Sequence, residues 1–138
     1  MTIQGGCLCK ALRYEIAADK PLGVRACWCR VCQYLGAGSG TVNAVFEKSA
    51  VTITGETRDY VSVADSGSVM HRKHCPICGT PVFSEAEPRP NVIIIRAGTL
   101  DDPEIARPAL TIWTSAAPSW ARFDPSIDRA AGQAPPTR

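Results

Sequence analysis

The chain has no long apolar run; its longest, Val92-Ile93-Ile94-Ile95, falls far short of a membrane span, so no membrane partner is expected. It also lacks a dominant charge. The formal net charge is +2 and no block of like charges appears, which excludes a nucleic-acid-binding surface. The opening residues 1–6 have neither the basic nor the apolar part of a signal peptide. A cytoplasmic location is therefore expected, where thiols stay reduced. Histidines number only 2. No Ser/His/Asp set is visible, and no Gly-rich phosphate loop has a strand and helix around it. Sustained helical periodicity is missing too.

What remains is a chain of 138 residues with 45% hydrophobic and 20% charged residues, an ordinary balance for one globular domain. Residues 1–128 read as that domain, and 129–138 as a disordered Pro/Ala tail. Short runs with period-two alternation are separated by Gly, Pro and Asp. Leu12, Tyr14 and Ile16 alternate with Arg13 and Glu15, and further runs cover 41–46, 51–54, 57–63, 68–74, 81–85, 91–96 and 109–114. Rich in Val, Ile, Thr and Tyr, they predict strands, and the fold class is mainly β, built from antiparallel sheets. Only residues 33–36 suggest a helical turn.

Against this background the 7 cysteines stand out. An odd number leaves one thiol over in any disulfide framework. They cluster as Cys7-Leu8-Cys9, Cys27-Trp28-Cys29-Arg30-Val31-Cys32 and Cys75-Pro76-Ile77-Cys78, which aims several sulfurs at one point. That is the spacing of metal ligands, and zinc is the expected metal. In the knuckle Cys75-Pro76-Ile77-Cys78-Gly79, Pro76 sets the turn and Gly79 permits the bend after the second ligand. A knuckle supplies two of the four ligands of a structural zinc. Cys7 and Cys9 with Cys75 and Cys78 complete a four-thiolate site. Cys27, Cys29 and Cys32 then form a three-thiolate site with an exchangeable position, as chemistry requires. The alternatives are a redox pair at Cys7 and Cys9, ordinary buried thiols at Cys75 and Cys78, one shared cluster, or a second structural zinc completed by His71 or His74.

Three segments carry a resemblance: Gly5-Gly6-Cys7-Leu8-Cys9, the Cys27–Cys32 motif, and Arg72-Lys73-His74-Cys75-Pro76-Ile77-Cys78-Gly79-Thr80. With the downstream 98–102 and 113–124, the sequence resembles the glutathione-dependent formaldehyde-activating enzyme family. The resemblance implies the Mss4-like β fold closed around a structural zinc at Cys7, Cys9, Cys75 and Cys78. It implies a second, exchangeable zinc at Cys27, Cys29 and Cys32, where a thiol substrate docks. The implied activity is that of a carbon–sulfur lyase, S-(hydroxymethyl)glutathione synthase, with a small thiol and an aldehyde as partners. A non-catalytic domain with two structural zincs that binds a partner is the alternative. Trp28 and Thr111 stand where the family pattern often has His, Gln33 and Tyr34 where it often has basic residues, and His74 where an aromatic is common.

Other residues invite a role. His74 is a candidate proton shuttle or fourth ligand, and Trp28 a candidate wall of the open site. Trp113 and Trp120 read as core. Arg30, Arg72, Lys73 and Arg96 could meet an anionic substrate, although single basic residues on strands are ordinarily solvated. Asp101-Asp102-Pro103 reads as a turn and not an acid pair.

Overall fold

The computed structural model describes residues 1–135; the last part of the expected tail, 136–138, lies outside the described residues. The strands are β1 (Ile3–Gly6), β2 (Arg13–Ile16), β3 (Gly23–Cys27), β4 (Thr41–Glu47), β5 (Val51–Thr54) and β6 (Arg58–Val63). They continue with β7 (Val69–His74), β8 (Pro81–Ala86), β9 (Val92–Arg96), β10 (Leu110–Ile112) and β11 (Asp128–Arg129). One short helix, α1 (Arg30–Leu35), follows β3. The fold is mainly β, as the alternation predicts. Among the described residues no helix is long and apolar enough to cross a membrane.

Two sheets form. Strands β1-β2-β5 make a small antiparallel sheet, and β11-β10-β3-β4-β9-β8-β7-β6 make the large one. Residues 41–46 and 51–54, which flank a turn in the sequence, do not pair with each other. A 3₁₀ turn at Lys48–Ala50 carries the chain from the large sheet to the small one. The large sheet is mixed, because β10 runs parallel to both β3 and β11. Between Lys73 and His74 the β7–β8 register shifts, an irregularity that re-aims the chain just before Cys75.

The main core lies between the sheets. Tyr14 and Ile16 point into it from β2 while Arg13 and Glu15 point away. Ala44, Phe46, Ile93 and Ile95 meet them from β4 and β9. Each such aromatic or aliphatic side chain contributes about 1.5–3 kcal/mol on burial. Cys7 and Cys75 belong to this core, with Cys78 packed at its rim.

Paired residues share a face of a sheet. Cys27 pairs with Thr41, Asn43 with Arg96, and Ser84 with both Ile94 and Arg72. All lie on the side of the large sheet opposite Ala44, Phe46, Ile93 and Ile95. On this back face Cys27, Cys29, Cys32 and Ile112 form a second, smaller buried cluster.

The sequence boundary at 128/129 falls inside β11. Beyond it the backbone finds partners: Ala130 N donates to Thr111 O at 2.8 Å, and Trp113 N donates to Gly132 O at 3.2 Å. Ala130 and Ala134 pack on the second cluster, and the Arg25 guanidinium donates to the Pro135 carbonyl. A Pro/Ala-rich stretch is held here because an edge strand offers it unpaired backbone groups.

Candidate metal centres

The first centre starts where β1 ends. Lys10 takes a left-handed turn, with φ of 69°. Its N–H donates to Cys7 O at 3.1 Å, and Leu12 N donates to Cys7 Sγ at 3.3 Å. The tight loop places the sulfurs of Cys7 and Cys9 3.6 Å apart. After β7 the knuckle folds in the same manner. Gly79, at φ 77°, lets its N–H reach Cys75 O at 2.9 Å. Ile77 N donates to Cys75 Sγ at 3.3 Å. Cys9 Sγ stands 3.7 Å from Cys75 Sγ, and the sulfurs of Cys7, Cys9, Cys75 and Cys78 all lie within 4.8 Å of one another. A tetrahedral zinc with sulfurs at about 2.3 Å spaces them roughly 3.8 Å apart, so this set fits the ion. The amide donors aimed at sulfur favour thiolates. The Thr80 hydroxyl, joined by the N–H groups of Cys9 and Thr80, lowers the Cys78 thiol to about 5.

The second centre is built from three local positions. Cys27 ends β3, Cys29 caps α1, and Cys32 lies in the helix one turn on. The Cys29 sulfur accepts from Cys32 N at 3.4 Å. The three sulfurs lie within 4.8 Å of one another, and each residue is only 7% exposed. Hydrogen bonds from Cys27 and Cys29, aided by the Thr41 hydroxyl and the Arg96 charge, drive the Cys32 thiol far below its ordinary range. Its neighbours Cys29 and Cys32 push Cys27 the other way. Among the described residues no further His, Cys, Asp or Glu joins this trio. Three thiolates with a fourth position left to another donor also fit zinc. This centre is roofed by the partly buried Trp113, Ala130 and Ala134.

The neighbours singled out in the sequence divide sharply. Gln33 is buried and clamps α1 in place. Its amide donates to Trp28 O at 2.8 Å and to Ala116 O at 3.0 Å. Tyr34 is exposed and carries the Arg30 guanidinium 5.2 Å over its ring. Trp28 packs edge-on against Phe123, with ring centroids 5.7 Å apart. Trp113 lies against the trio, whereas Trp120, expected in the core, is 63% exposed because it sits in an irregular surface segment. Asp101 pairs with Arg13 and Asp102 caps a 3₁₀ turn, as a turn reading requires. Two basic residues expected to be solvated, Arg72 and Arg96, turn inward on the back face.

Neither histidine joins a cysteine group. His71 sits on the surface between two carboxylates, Nδ1 at 2.7 Å from Asp59 and Nε2 at 2.8 Å from Glu87. Asp59 first, then Glu87, raises its pKa above 6.5. An NMR titration of the imidazole should give a midpoint above 6.5, and Asp59→Asn should lower it. The sign follows: the contribution to stability is complete below the unfolded pKa and fades as pH rises through the raised folded one. A midpoint unmoved by Asp59→Asn would contradict the pairing.

Two thiol groups able to hold metal, one four-sulfur and one three-sulfur, on a mixed β scaffold define a small β protein with two candidate metal centres. The chain belongs to the glutathione-dependent formaldehyde-activating enzyme family, whose model matches residues 2–116. The family supports a formaldehyde-activating, glutathione-related function in general. The fold is similar to a structural-genomics crystal structure of a Rhodobacter sphaeroides protein. That match has a TM-score of 0.57 and 18% identity, over 71% of this chain and 87% of the other. No curated protein matches the sequence.

Proposed function

We propose that this protein is a zinc-dependent carbon–sulfur lyase of the S-(hydroxymethyl)glutathione synthase type, working on a small thiol and an aldehyde in the cytoplasm. One observation carries the reading: three buried sulfurs converge at Cys27, Cys29 and Cys32 without a fourth protein donor among the described residues. The four-sulfur group supports a structural role, since it ties the β1 loop to the knuckle at the rim of the main core. Zinc at the trio would supply a site that keeps a substrate thiol ionised at neutral pH.

The protein's own residues do the rest. Cys27 at a strand end, Cys29 at a helix cap and Cys32 one turn on would hold the ion and leave a position for a fourth ligand. Ile112 is buried with the trio and Trp113 packs against it, and both would help keep water from a bound substrate. In the synthetic direction the thiol sulfur forms a bond to the aldehyde carbon, and the carbonyl π bond breaks. The proton lost by the thiol ends on the new hydroxyl oxygen. Proton exchange NMR of formaldehyde with glutathione tests the reading. Added protein should raise the exchange rate at neutral pH; a rate equal to the buffer control sinks it.

A second reading, a non-catalytic domain with two structural metals, is favoured by the roof of Ala130 and Ala134 over the trio. It predicts two zincs that small thiols leave unperturbed.

A further inference from the structure

The back face of the large sheet buries two guanidinium groups. Arg72 is 9% exposed and donates to the Ser62 hydroxyl at 2.6 Å. Arg96 is half-buried, donates to the Asn43 side-chain oxygen, and leaves its Nε buried with no partner. Both partners are neutral. Among the described residues neither guanidinium is paired to a carboxylate. Arg96 pairs with Asn43, two residues along β4 from Thr41, the partner of Cys27, so Arg96 and the trio share this face on either side of one strand. Burial lowers the Arg96 pKa first and Arg72 adds to that, while the trio sulfurs, Cys32 foremost, oppose it.

Buried cations without counter-ions are costly, and arginine cannot shed its proton. The charge around the trio explains why they are tolerated. Three cysteinates around a divalent zinc would carry one net negative charge. Arg25, Arg72 and Arg96 share the back face, Arg25 only two residues from Cys27, so positive charge remains for whatever fills the fourth position. The four-sulfur group differs: Arg13, whose charge senses Cys7, is paired with Asp101 at 2.6 Å.

We propose that Arg96, backed by Arg72, is a specificity-determining residue that makes the fourth position of the trio select an anionic ligand, a thiolate, over a neutral one. Arg96 acts through the field at the sulfurs and is a positioning residue. The inference rests on the function proposed above, and it assigns to two strand residues the cation role that Gln33 and Tyr34 cannot fill.

The test uses full-length protein with cobalt in place of zinc, whose visible spectrum reports the fourth ligand. Two probes are titrated: 2-mercaptoethanol, which binds as an anion, and imidazole, which binds neutral. Arg96→Gln should weaken 2-mercaptoethanol binding on the order of tenfold and leave imidazole binding unchanged. Arg96→Lys, which keeps the charge, should restore most of the thiol affinity. Arg72→Gln should shift the same preference by less. A loss of both probes alike, or a Lys variant no better than Gln, would overturn the assignment, because either marks a merely structural role. Should Arg96→Gln fail to fold, the Arg72→Gln preference decides, and equal affinities to wild type for both probes count against the proposal. A wild-type spectrum unmoved by thiol overturns the proposed function and this inference with it. A wild-type response matched by Arg96→Gln overturns the inference alone.

Discussion

Cys78→Ser is expected to leave no soluble folded protein. Cys78 shares its site with Cys7, Cys9 and Cys75, and the Cys9–Cys75 approach closes a separation of 66 positions. Cys75 is fully buried and Cys7 is 4% exposed, so losing the ion strands unpaired thiols at the rim of the main core. A serine hydroxyl is not a thiolate and holds zinc poorly. Zinc–thiolate sites contribute on the order of 10 kcal/mol, which rivals the whole stability of a domain, about 5–15 kcal/mol. Soluble yield and far-ultraviolet circular dichroism check this. A Cys78→Ser protein with a native spectrum and a cooperative melt would remove the structural role from this site.

Cys29→Ser should do the opposite: keep the fold, lose the second metal, and abolish the exchange of formaldehyde with glutathione. The trio lies on the back face, outside the main core, in a cluster with Ile112. Its three members come from one short stretch, so no distant segments depend on it for closure. Serine is also a good helix cap, so α1 keeps its first turn without the Cys29 sulfur. The measurement is the zinc-to-protein ratio beside the melting curve. The ratio should fall by one ion while the melt stays cooperative. If Cys29→Ser unfolds and Cys78→Ser does not, the two roles are reversed.

The geometry inside each thiol motif was legible from spacing, because C-x-C and C-x-x-C loops are local devices. That Cys7 and Cys9 lie beside Cys75 and Cys78, 66 positions away, is a long-range meeting that spacing alone left open. Strand β2 was legible from its alternation, and β9 from its short run of β-branched residues. Strand β3 was not: Gly23-Val24-Arg25-Ala26-Cys27 has little alternation, and it becomes a strand by pairing with β4 and β10. The parallel β3–β10 contact and the bound tail depend on long-range register that no local pattern encodes. Arg96 shows the limit most clearly. A lone arginine on a strand is ordinarily solvated, and its burial here follows from pairing with Asn43 at the centre of an eight-stranded sheet.

The roof over the trio has a consequence for how the chain is made. Synthesis runs from the N-terminus, so the Cys27–Cys32 segment leaves the ribosome long before its cover. Gln33 waits for Ala116, 83 positions later, and Arg25 for Pro135, 110 positions later. The trio, complete within one short segment, can capture an ion while still unroofed. The four-sulfur group cannot close until Cys78 has emerged. Were both centres loaded during synthesis, translation would order the loading: the back-face centre would be open to early filling and the four-sulfur group would fill second.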